Sequence, residues 1–543
     1  MKRKAVAAVL TAVMVASMFT GCGSDKGSSS AKSTSAASAA NDTVDEDGKV
    51  NGIMYQEGLP LVDEGAYTFS IFCDDSSESG EFIMLDEFKK QTNVDVDLKI
   101  YPYETATERL NLDLNSGDYA DVIGGWTLSD NAILTYGVNQ GVFIPLEDYF
   151  EKYCPNISAI LDLPGVREKM TAPDGHIYTI PYVCADSTVG YSPYINTKWL
   201  ENVGMSMPTT TDEFEAVLKA FKEQDANGNG DASDEIPFST DPNNKHIEAM
   251  AGYFGLPMNK LGIAIQNEKV VYGGVSDTYR EFLSWFHKLY AEGLVDVELY
   301  TQDSSTWEGK GNQDLYGVSI AYGSGEFTGI PAAEERGDFD SMPVLNTDKG
   351  GIWMRDTEGF SVYRTQAVIT NKAEHPEIIC RWFDNAFALE NGIGCNRGPV
   401  GVIVNKEDDG YHAIDTTTLS EEDQEKYSWS NLWPQSLPKY LPADFEFVEE
   451  HPMYDEKKAT EEAYEANLTK EIIPSYWIDL DKIDTFSDTN TAIKDFFEQQ
   501  QAQFVCGELD IDNDADWQAY VDGMYSLGLE DWVATQGIEE IAK

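Results

Sequence analysis

The chain of 543 residues carries 95 acidic and 38 basic side chains, which gives a formal net charge of −57 at pH 7. A surface with that charge repels nucleic acid, and it disfavours strongly anionic ligands unless a local basic pocket overrides the average field. With 42% hydrophobic and 12% aromatic residues the chain can bury a sizeable core, and its length predicts two or three domains.

The first 21 residues have the features of a bacterial export signal. A basic start precedes the mostly apolar residues 5–19, a run too short to span a bilayer, which takes roughly 20 residues. Residues 19–22, Phe-Thr-Gly-Cys, resemble a bacterial lipobox, with Phe19 where that motif usually has Leu. The resemblance implies that residues 1–21 are a lipoprotein signal peptide and that Cys22 carries acyl chains such as palmitate. An ordinary secretory signal with an incidental Cys is the alternative.

Residues 22–60 are predicted to be a flexible tether between the anchor at Cys22 and the folded body. Through residue 50 the stretch is rich in Ser, Ala, Lys, Asp and Gly, and it cannot bury enough apolar surface to order itself. The tether would hold the body close to the membrane without restricting its motion.

The folded body begins with elements that alternate between strand and helix. Apolar periodicity predicts strands near 67–71, 94–100 and 121–123 and helices near 82–90 and 105–114. This β-α-β-α-β order predicts an α/β fold with a parallel sheet, in which ligands bind outside the carboxyl ends of the strands. Trp126 follows Gly124-Gly125 at such an end, so it is a candidate ligand contact. A turn followed by a core Trp is the alternative.

Several segments together resemble extracellular solute-binding proteins of bacterial ABC importers, the sugar-binding group in particular. They are residues 115–123, 141–146, 174–181, 194–200, 208–214, 289–295 and 516–520. The resemblance implies a two-lobed, periplasmic-binding-protein-like fold of type II with the ligand in a cleft between the lobes. Lobe 1 would comprise residues 61–190 plus roughly 360–430. Lobe 2 would comprise residues 191–359 plus roughly 431–543, including the C-terminal helices.

Residues 225–235 predict a calcium loop. Oxygen side chains at the first, third and fifth positions and Gly230 at the sixth match the first half of an EF-hand, but Ile236 stands where a bidentate Glu is expected. The loop also resembles the structural calcium loop of oligosaccharide-binding members of the same family. That resemblance implies Ca²⁺ ligands at Asp225, Asn227, Asn229, Asp231, Asp234 and Glu235. A plain Asn-Gly turn is the alternative.

Further candidate ligand contacts are aromatic residues in polar or turn-rich chain. Trp307 lies in a polar loop, and Trp353 shares a glycine-rich turn with Arg355. An indole ring can stack on the apolar face of a sugar while a guanidinium bonds its hydroxyls. Tyr191 and Trp433 are the remaining candidate ligand contacts. A packed surface turn is the alternative interpretation of Trp353 and Arg355.

No nucleophile elbow, zinc-protease motif or phosphate-binding loop is found in the sequence. The resemblance to sugar-binding proteins of ABC importers implies a monomeric lipoprotein outside the cytoplasmic membrane that captures an oligosaccharide or other saccharide and delivers it to an ABC permease by hinge closure. The alternatives are a glycoside-active enzyme, a binding protein for another solute such as a peptide, and an adhesion or structural surface lipoprotein. Six cysteines outside the signal could form disulfides or serve as small buried hydrophobes.

Overall fold

The computed structural model describes residues 42–75, 81–241, 246–329, 337–442, 445, 447–448, 452–538 and 540–542. The predicted signal peptide and Cys22 lie outside these ranges. Within them, no helix combines the length and the apolar character that crossing a bilayer requires.

Sixteen strands are found in the described ranges. They are β1 (Lys49–Val50), β2 (Met54–Tyr55), β3 (Tyr67–Asp74), β4 (Val94–Tyr101), β5 (Val122–Gly124), β6 (Thr179–Ala185), β7 (Ser192–Asn196), β8 (Ile236–Thr240), β9 (Ile263–Gln266), β10 (Lys269–Tyr272), β11 (Tyr316–Ala321), β12 (Phe339–Ser341), β13 (Phe360–Ile369), β14 (Val404–Glu407), β15 (Gly410–Ala413) and β16 (Glu540–Ile541).

Helices connect and cover the strands. The α-helices span Ile83–Thr92, Tyr103–Ser116, Asp130–Ala132, Glu147–Tyr153, Pro155–Leu161, Val166–Met170, Thr197–Val203, Thr211–Glu223, Asp277–Ala291, Ser304–Asn312, Gly325–Thr328, Pro376–Ala386, Leu389–Arg397, Glu421–Lys426, Pro452–Tyr464, Ile483–Cys506, Asp514–Ser526 and Leu529–Thr535. A π-helical segment spans Ile133–Asn139, and 3₁₀ segments span Ile247–Phe254, Thr416–Thr418, Trp429–Asn431, Glu465–Asn467 and Leu480–Lys482.

Lobe 1 is built on a five-stranded sheet of order β4-β3-β5-β13-β6. Strands β3, β4 and β5 are parallel, and β13 runs antiparallel to both of its neighbours. The three strands and two helices predicted between residues 67 and 123 are all present at nearly the predicted positions. Two apolar clusters cover the two faces of the sheet, because alternate residues of β3, β5 and β13 enter one cluster or the other.

Lobe 2 is built on a four-stranded sheet of order β12-β7-β11-β8 and a three-stranded sheet of order β16-β10-β9. Its large apolar cluster includes Phe497, Phe504 and Trp517 from the C-terminal helices, so these helices pack in lobe 2. The chain crosses between the lobes in a first crossing segment, residues 186–191, and a second, residues 342–359, and it enters lobe 2 again between Tyr440 and the helix Pro452–Tyr464. Residues 465–482, the third crossing segment, leave lobe 2 after Tyr464, contact lobe 1 through Trp477 and Ile478, and lead back to lobe 2 in the helix Ile483–Cys506. The predicted two-lobed α/β fold is thus present, with the separate sheets of the two lobes linked by crossing segments.

Two predicted boundaries differ from the structure. Trp433 and Leu437 were assigned to lobe 2, but both are fully buried in the core of lobe 1. Residues 42–60 were assigned to the flexible tether, but they contain the β1–β2 ribbon, and Val50 and Met54 are fully buried against lobe 1. The Arg381 guanidinium holds the chain after β2 by donating hydrogen bonds to backbone carbonyls of residues 55, 56 and 58.

The six cysteines of the described chain are free thiols. Four of them, Cys73, Cys154, Cys380 and Cys395, are buried in apolar surroundings, which agrees with their use as small hydrophobes.

Candidate functional site: an aromatic cleft between the lobes

Trp126 is presented to solvent by a tight turn at the carboxyl end of β5. The Asp74 carboxylate, at the end of the neighbouring β3, accepts hydrogen bonds from the Trp126 and Thr127 amides at 3.0 and 2.6 Å. Gly125 has a φ of +132°, and a Cβ there would lie 2.3 Å from an Asp74 oxygen. Its missing side chain therefore makes room for the carboxylate that orients the turn. The Trp126 side chain remains 45% exposed.

Two tyrosines extend the ring of Trp126 into a wall along lobe 1. The Tyr363 ring lies 5.2 Å from Trp126, edge to face, and the Tyr182 ring stacks on Tyr363 at 5.5 Å. Both tyrosines come from the adjacent strands β6 and β13, where they form a cross-strand pair. The three partly accessible rings form a continuous apolar surface with polar edges.

Asp186 joins this wall to lobe 2. The carboxylate lies in the first crossing segment and accepts hydrogen bonds from Ser361 and Tyr363 of lobe 1 through one oxygen. Through the other oxygen it accepts a 3.0 Å hydrogen bond from the Tyr322 hydroxyl of lobe 2. A single carboxylate therefore contacts both walls at the base of the cleft.

The wall on lobe 2 is also aromatic. The Tyr191 ring stacks on His246 with centroids 4.1 Å apart and an interplanar angle of 11°, and Tyr322 meets Tyr191 edge to face at 6.1 Å. Burial lowers the pKa of His246 to about 4, so this imidazole is neutral at physiological pH. A neutral ring stacked on Tyr191 adds contact area without adding charge.

Charged groups surround the rings of lobe 2. The Lys457 ammonium lies 3.8 Å from the centre of the Tyr322 ring and donates hydrogen bonds to the carbonyls of Val189 and Gly190 in the first crossing segment. Burial lowers its pKa to about 8 and raises the pKa of Asp356 to about 6 and that of Glu326 to about 7. The Asp356 and Glu326 side chains remain partly exposed to solvent, although many protein atoms surround them. This combination is expected for residues that line the wall of a concave cleft.

The crossing segments are braced against each other. The Asp186 amide donates to the Gly359 carbonyl and the Asp356 amide donates to the Thr188 carbonyl, at 3.1 and 3.0 Å. The Asp356 carboxylate accepts from the Gly190 amide at 2.7 Å. These two segments thus run side by side between the lobes, in the position where a hinge is expected.

The structure separates the predicted ligand contacts into two groups. It places Trp126 and Tyr191 in the cleft, on opposite walls, where their ligand role stays a prediction. It buries Trp307, Trp353 and Trp433, each no more than 3% exposed, so these three rings offer no face to a ligand. Arg355 donates to the Thr469 carbonyl and pairs with Glu465, and so it braces the third crossing segment rather than the cleft.

Core packing explains the three buried tryptophans. Trp307 donates its indole N–H to Ser319 and packs on Phe327. Trp353 lies between Tyr253 and Tyr464. Trp433 stacks on Trp382 at 5.7 Å and donates to the Leu437 carbonyl. The polar or turn-rich sequence around these three tryptophans predicted that their rings would be exposed. Contacts with residues distant in the sequence bury them instead.

The sequence interpretation missed Tyr182, Tyr363, Tyr322, Asp186 and His246. A usable signal existed for three of them. Tyr182 lies in β6, Tyr363 lies in β13 and Tyr322 directly follows β11, so all three are aromatic residues in or next to strands that alternation of residue types can indicate. Nothing in the local sequence marks Asp186 or His246.

The predicted calcium loop connects the helix Thr211–Glu223 to β8. The helix begins with a cap in which the Glu213 amide donates to the Thr210 hydroxyl, and its buried face carries Phe214, Leu218 and Phe221. The Asn229 amide donates to Asn227 Oδ1 and the Asp231 amide to Asn229 Oδ1, which folds the loop tightly. Packing of the helix therefore fixes where the loop begins.

Two carboxylate oxygens in this loop suit a cation. Asp225 Oδ1 and Glu235 Oε2 are buried, and neither has a hydrogen-bond partner among the described residues. Burial raises the pKa of Glu235, because an ionised carboxylate is poorly solvated there. The Asp234 carboxylate accepts hydrogen bonds from the side-chain amides of Asn227 and Asn229, and the Asp231 carboxylate accepts one from the Ser233 hydroxyl. The oxygen-rich donor set and the two orphaned oxygens fit a hard divalent ion.

Comparison with known proteins defines the class. Residues 77–392 match the family of bacterial extracellular solute-binding proteins, and the chain belongs to that family. It is 32% identical over 379 residues to the fructooligosaccharide ABC transporter substrate-binding protein FusA of Streptococcus pneumoniae serotype 4 (strain ATCC BAA-334 / TIGR4). That alignment covers 67% of this chain and 68% of FusA. The lipoprotein LipO of Bacillus subtilis (strain 168) is 28% identical over 280 residues, covering 50% of this chain and 52% of LipO.

Solved structures show the same fold. FusA in complex with kestose superposes with a TM-score of 0.76 at 26% identity, covering 86% of this chain and 98% of that one. The alginate-binding protein AlgQ2, in a structure without calcium ion, gives a TM-score of 0.72 at 22% identity over 89% of this chain and 99% of its own. A further FusA structure is of an EF-hand mutant. The predicted two-lobed fold and the prediction of a binding protein rather than an enzyme are confirmed.

Proposed function

We propose that the protein is a saccharide-binding protein that takes an oligosaccharide between the aromatic walls of its two lobes. The observation that carries the proposal is the set of six rings on opposite walls joined through Asp186. Aromatic faces stack on sugar rings, and the hydroxyls and carboxylates beside them can pair with sugar hydroxyls. FusA, with 32% identity, is described as binding fructooligosaccharide, which supports the same class of ligand here.

Hinge closure would couple binding to delivery. A ligand that contacts both walls binds the closed state more tightly than the open one, so it shifts the equilibrium between them. The closed protein would then present both lobes to the permease of an ABC importer. Acyl chains on Cys22 and the chain preceding residue 42 would keep a monomeric receptor outside the cytoplasmic membrane and near that permease, which raises its effective concentration.

A saccharide panel tests this function. Kestose, nystose, cellotriose, maltotriose and a tripeptide are compared by thermal shift and then by calorimetric titration, with chemical analysis of the recovered sugar. We expect at least one oligosaccharide to raise Tm and to be recovered unaltered, since a ligand stabilises the state that binds it. Turnover of the sugar would support the enzyme alternative instead, and a shift with the peptide alone would support the peptide alternative.

We also propose that Ca²⁺ binds the loop of residues 225–235, with Asp225, Asn227, Asn229, Asp234 and Glu235 as side-chain ligands and Asp231 as a backbone ligand. The two orphaned carboxylate oxygens support the proposal. The ion would be structural, because the loop joins a helix and a strand of lobe 2 and no ring of the cleft belongs to it. It would compensate buried negative charge that the protein leaves without partners.

Removal of calcium is expected to destabilise the protein. Binding at a free concentration one hundred times Kd contributes about 2.7 kcal/mol. In a body of about 500 residues that corresponds to a loss of roughly 2–3 °C in Tm on chelation with EGTA. Differential scanning calorimetry with and without added Ca²⁺ measures the effect.

Variants locate the calcium effect. Asp225→Asn and Glu235→Gln should lower Tm in calcium and make it insensitive to EGTA. Asp409→Asn is the control, because Glu407, Asp409 and His412 are the one described cluster of carboxylate and histidine donors that could hold a metal elsewhere. If Asp409→Asn rather than the loop variants abolished the calcium response, the loop assignment would be wrong.

A further inference from the structure

A buried cation lies at one end of the lobe 1 wall. Lys439 is 1% exposed and belongs to the segment that pairs with the edge strand β6 through Tyr440. Its ammonium donates a 2.7 Å hydrogen bond to the side-chain oxygen of Gln435. No carboxylate lies within ion-pair distance of it in the described part of the chain. A buried ammonium with one neutral partner keeps two N–H donors without an acceptor among the described residues.

Two rings flank this ammonium. It lies 5.5 Å from the centre of the Trp429 ring and 5.9 Å from the centre of the Tyr182 ring. Trp429 is 51% exposed, and Tyr182 belongs to the aromatic wall of the cleft. The Gln435 side chain also donates to the Trp429 carbonyl at 2.8 Å, so one buried amide positions both the ring and the cation.

The groups around Lys439 include one carboxylate and one further cation. Cys184 of β6, Cys395 and Arg397 of the helix Leu389–Arg397, and Asp75 after β3 act on it electrostatically. The pKa of Lys439 is lowered to about 8, chiefly by burial, with a smaller lowering by the positive charge of Arg397 and opposing contributions from Cys395, Cys184 and Asp75. Asp75 is the only carboxylate among these groups, and it accepts from the Gln435 amide at 2.7 Å. With the two cations Lys439 and Arg397 and the one carboxylate of Asp75, these surroundings form a local basic region within a chain of net charge −57.

We propose that Lys439 determines ligand specificity by attracting a carboxylate, so that the preferred ligand is an oligosaccharide with one uronic acid residue, bound at the Trp429 end of the cleft. The inference rests on the proposed saccharide-binding function. The Tyr182 and Trp429 rings lie beside the ammonium, and its charge acts across them without an exposed ammonium, because protein screens a charge far less than water does.

The rest of the cleft limits how many acidic groups the ligand carries. Asp186, Asp356 and Glu326 lie at the lobe 2 side, where they would repel a second carboxylate. Neutral sugar residues therefore extend from the Trp429 end toward Asp186. The charges orient the oligosaccharide and disfavour a chain that is acidic at every residue.

Matched pairs of sugars test the inference. Cellotriose, maltotriose and kestose are each compared with the analogue in which one terminal primary hydroxyl is oxidised to a carboxylate. We expect wild-type protein to bind at least one oxidised analogue on the order of tenfold more tightly than its neutral partner. The preference should disappear in Lys439→Met, which keeps the length of the side chain, and remain in Lys439→Arg.

The pH profile separates a charge effect from a packing effect. The ammonium is charged below its pKa, so the preference of wild-type protein should be full below about pH 7 and fall as the pH rises above about 8. Lys439→Arg should keep its preference at pH 9. Circular dichroism and Tm establish that each variant is folded.

The outcomes are distinguishable. If wild-type protein binds neutral sugars as tightly as their oxidised partners, or if Lys439→Met keeps the preference, the inference fails while the saccharide-binding function stands. If no sugar of the panel binds wild-type protein, the proposed function fails and the inference fails with it.

Discussion

Replacing Arg364 with Met should lower the free energy of unfolding by about 3 kcal/mol, which is typical of breaking a buried ion pair. The Arg364 side chain is 5% exposed and its guanidinium pairs with Asp130 through two nitrogens. It also donates to the carbonyls of Ser475 and Tyr476 and lies 4.1 Å from the centre of the Trp477 ring. One side chain thus attaches the third crossing segment to lobe 1.

Urea unfolding followed by tryptophan fluorescence measures this effect. Arg109→Met is the matched control, because the Arg109 side chain is 50% exposed in its pair with Asp113 and such surface pairs contribute little. We expect the midpoint urea concentration to fall for Arg364→Met and to stay unchanged for Arg109→Met. Equal midpoints for Arg364→Met and wild type would show that the crossing segment is held by its apolar contacts alone.

Much of the fold of lobe 1 could be predicted because its signals are local. Strands β3 and β4 alternate apolar and polar residues, and the helix between them has apolar residues at helical spacing. The order of these elements then requires a parallel sheet. No local pattern assigns residues 431–440 to a lobe. Their position depends on the packing of Trp433 against Phe88 and Trp382, which are far away in the sequence.

The extent of the tether illustrates the same limit. Residues 42–60 follow low-complexity chain, and their scattered apolar residues show neither the helix nor the strand period that would predict a folded element. They are ordered because lobe 1 provides a surface on which they pack. There the Arg381 guanidinium donates hydrogen bonds to three of their backbone carbonyls, and the Glu377 carboxylate accepts one from the Asn51 side chain. Composition alone underestimates order wherever a segment folds against an existing surface.

The candidate site was partly predictable for a different reason. Trp126 was found because the carboxyl end of a parallel strand is a topological feature that the order of elements reveals. The other tryptophans were chosen from local polarity, and large aromatic side chains bury readily whatever their neighbours in sequence are. Among the tyrosines of the cleft, Tyr182 and Tyr363 lie in β6 and β13, Tyr322 follows β11 and Tyr191 precedes β7. The mutual positions of these strands follow only from the complete strand order.

Replacing Trp126 with Ala should weaken saccharide binding about thirtyfold, or about 2 kcal/mol, the magnitude expected when an aromatic anchor is truncated. The ring is half-exposed and meets Tyr363 and Tyr182 only at its edge, so the same change should have little effect on Tm. Calorimetric titration with the tightest-binding sugar of the panel measures the loss. Tyr191→Ala should cause a comparable loss from the opposite wall.

Conservative and remote variants identify the cause of that loss. Trp126→Phe keeps an aromatic face in the same turn and should recover most of the affinity, whereas Tyr525→Ala removes a ring that is 42% exposed on the helix Asp514–Ser526 and should change nothing. If the ligand truly spans the cleft, truncating both Trp126 and Tyr191 should also abolish the compaction that small-angle scattering detects on adding sugar, because closure requires contacts on both lobes. Unaltered affinity in Trp126→Ala would show that the ligand does not bind at the carboxyl end of β5. It would also exclude the wall formed by Tyr182 and Tyr363 as the binding surface.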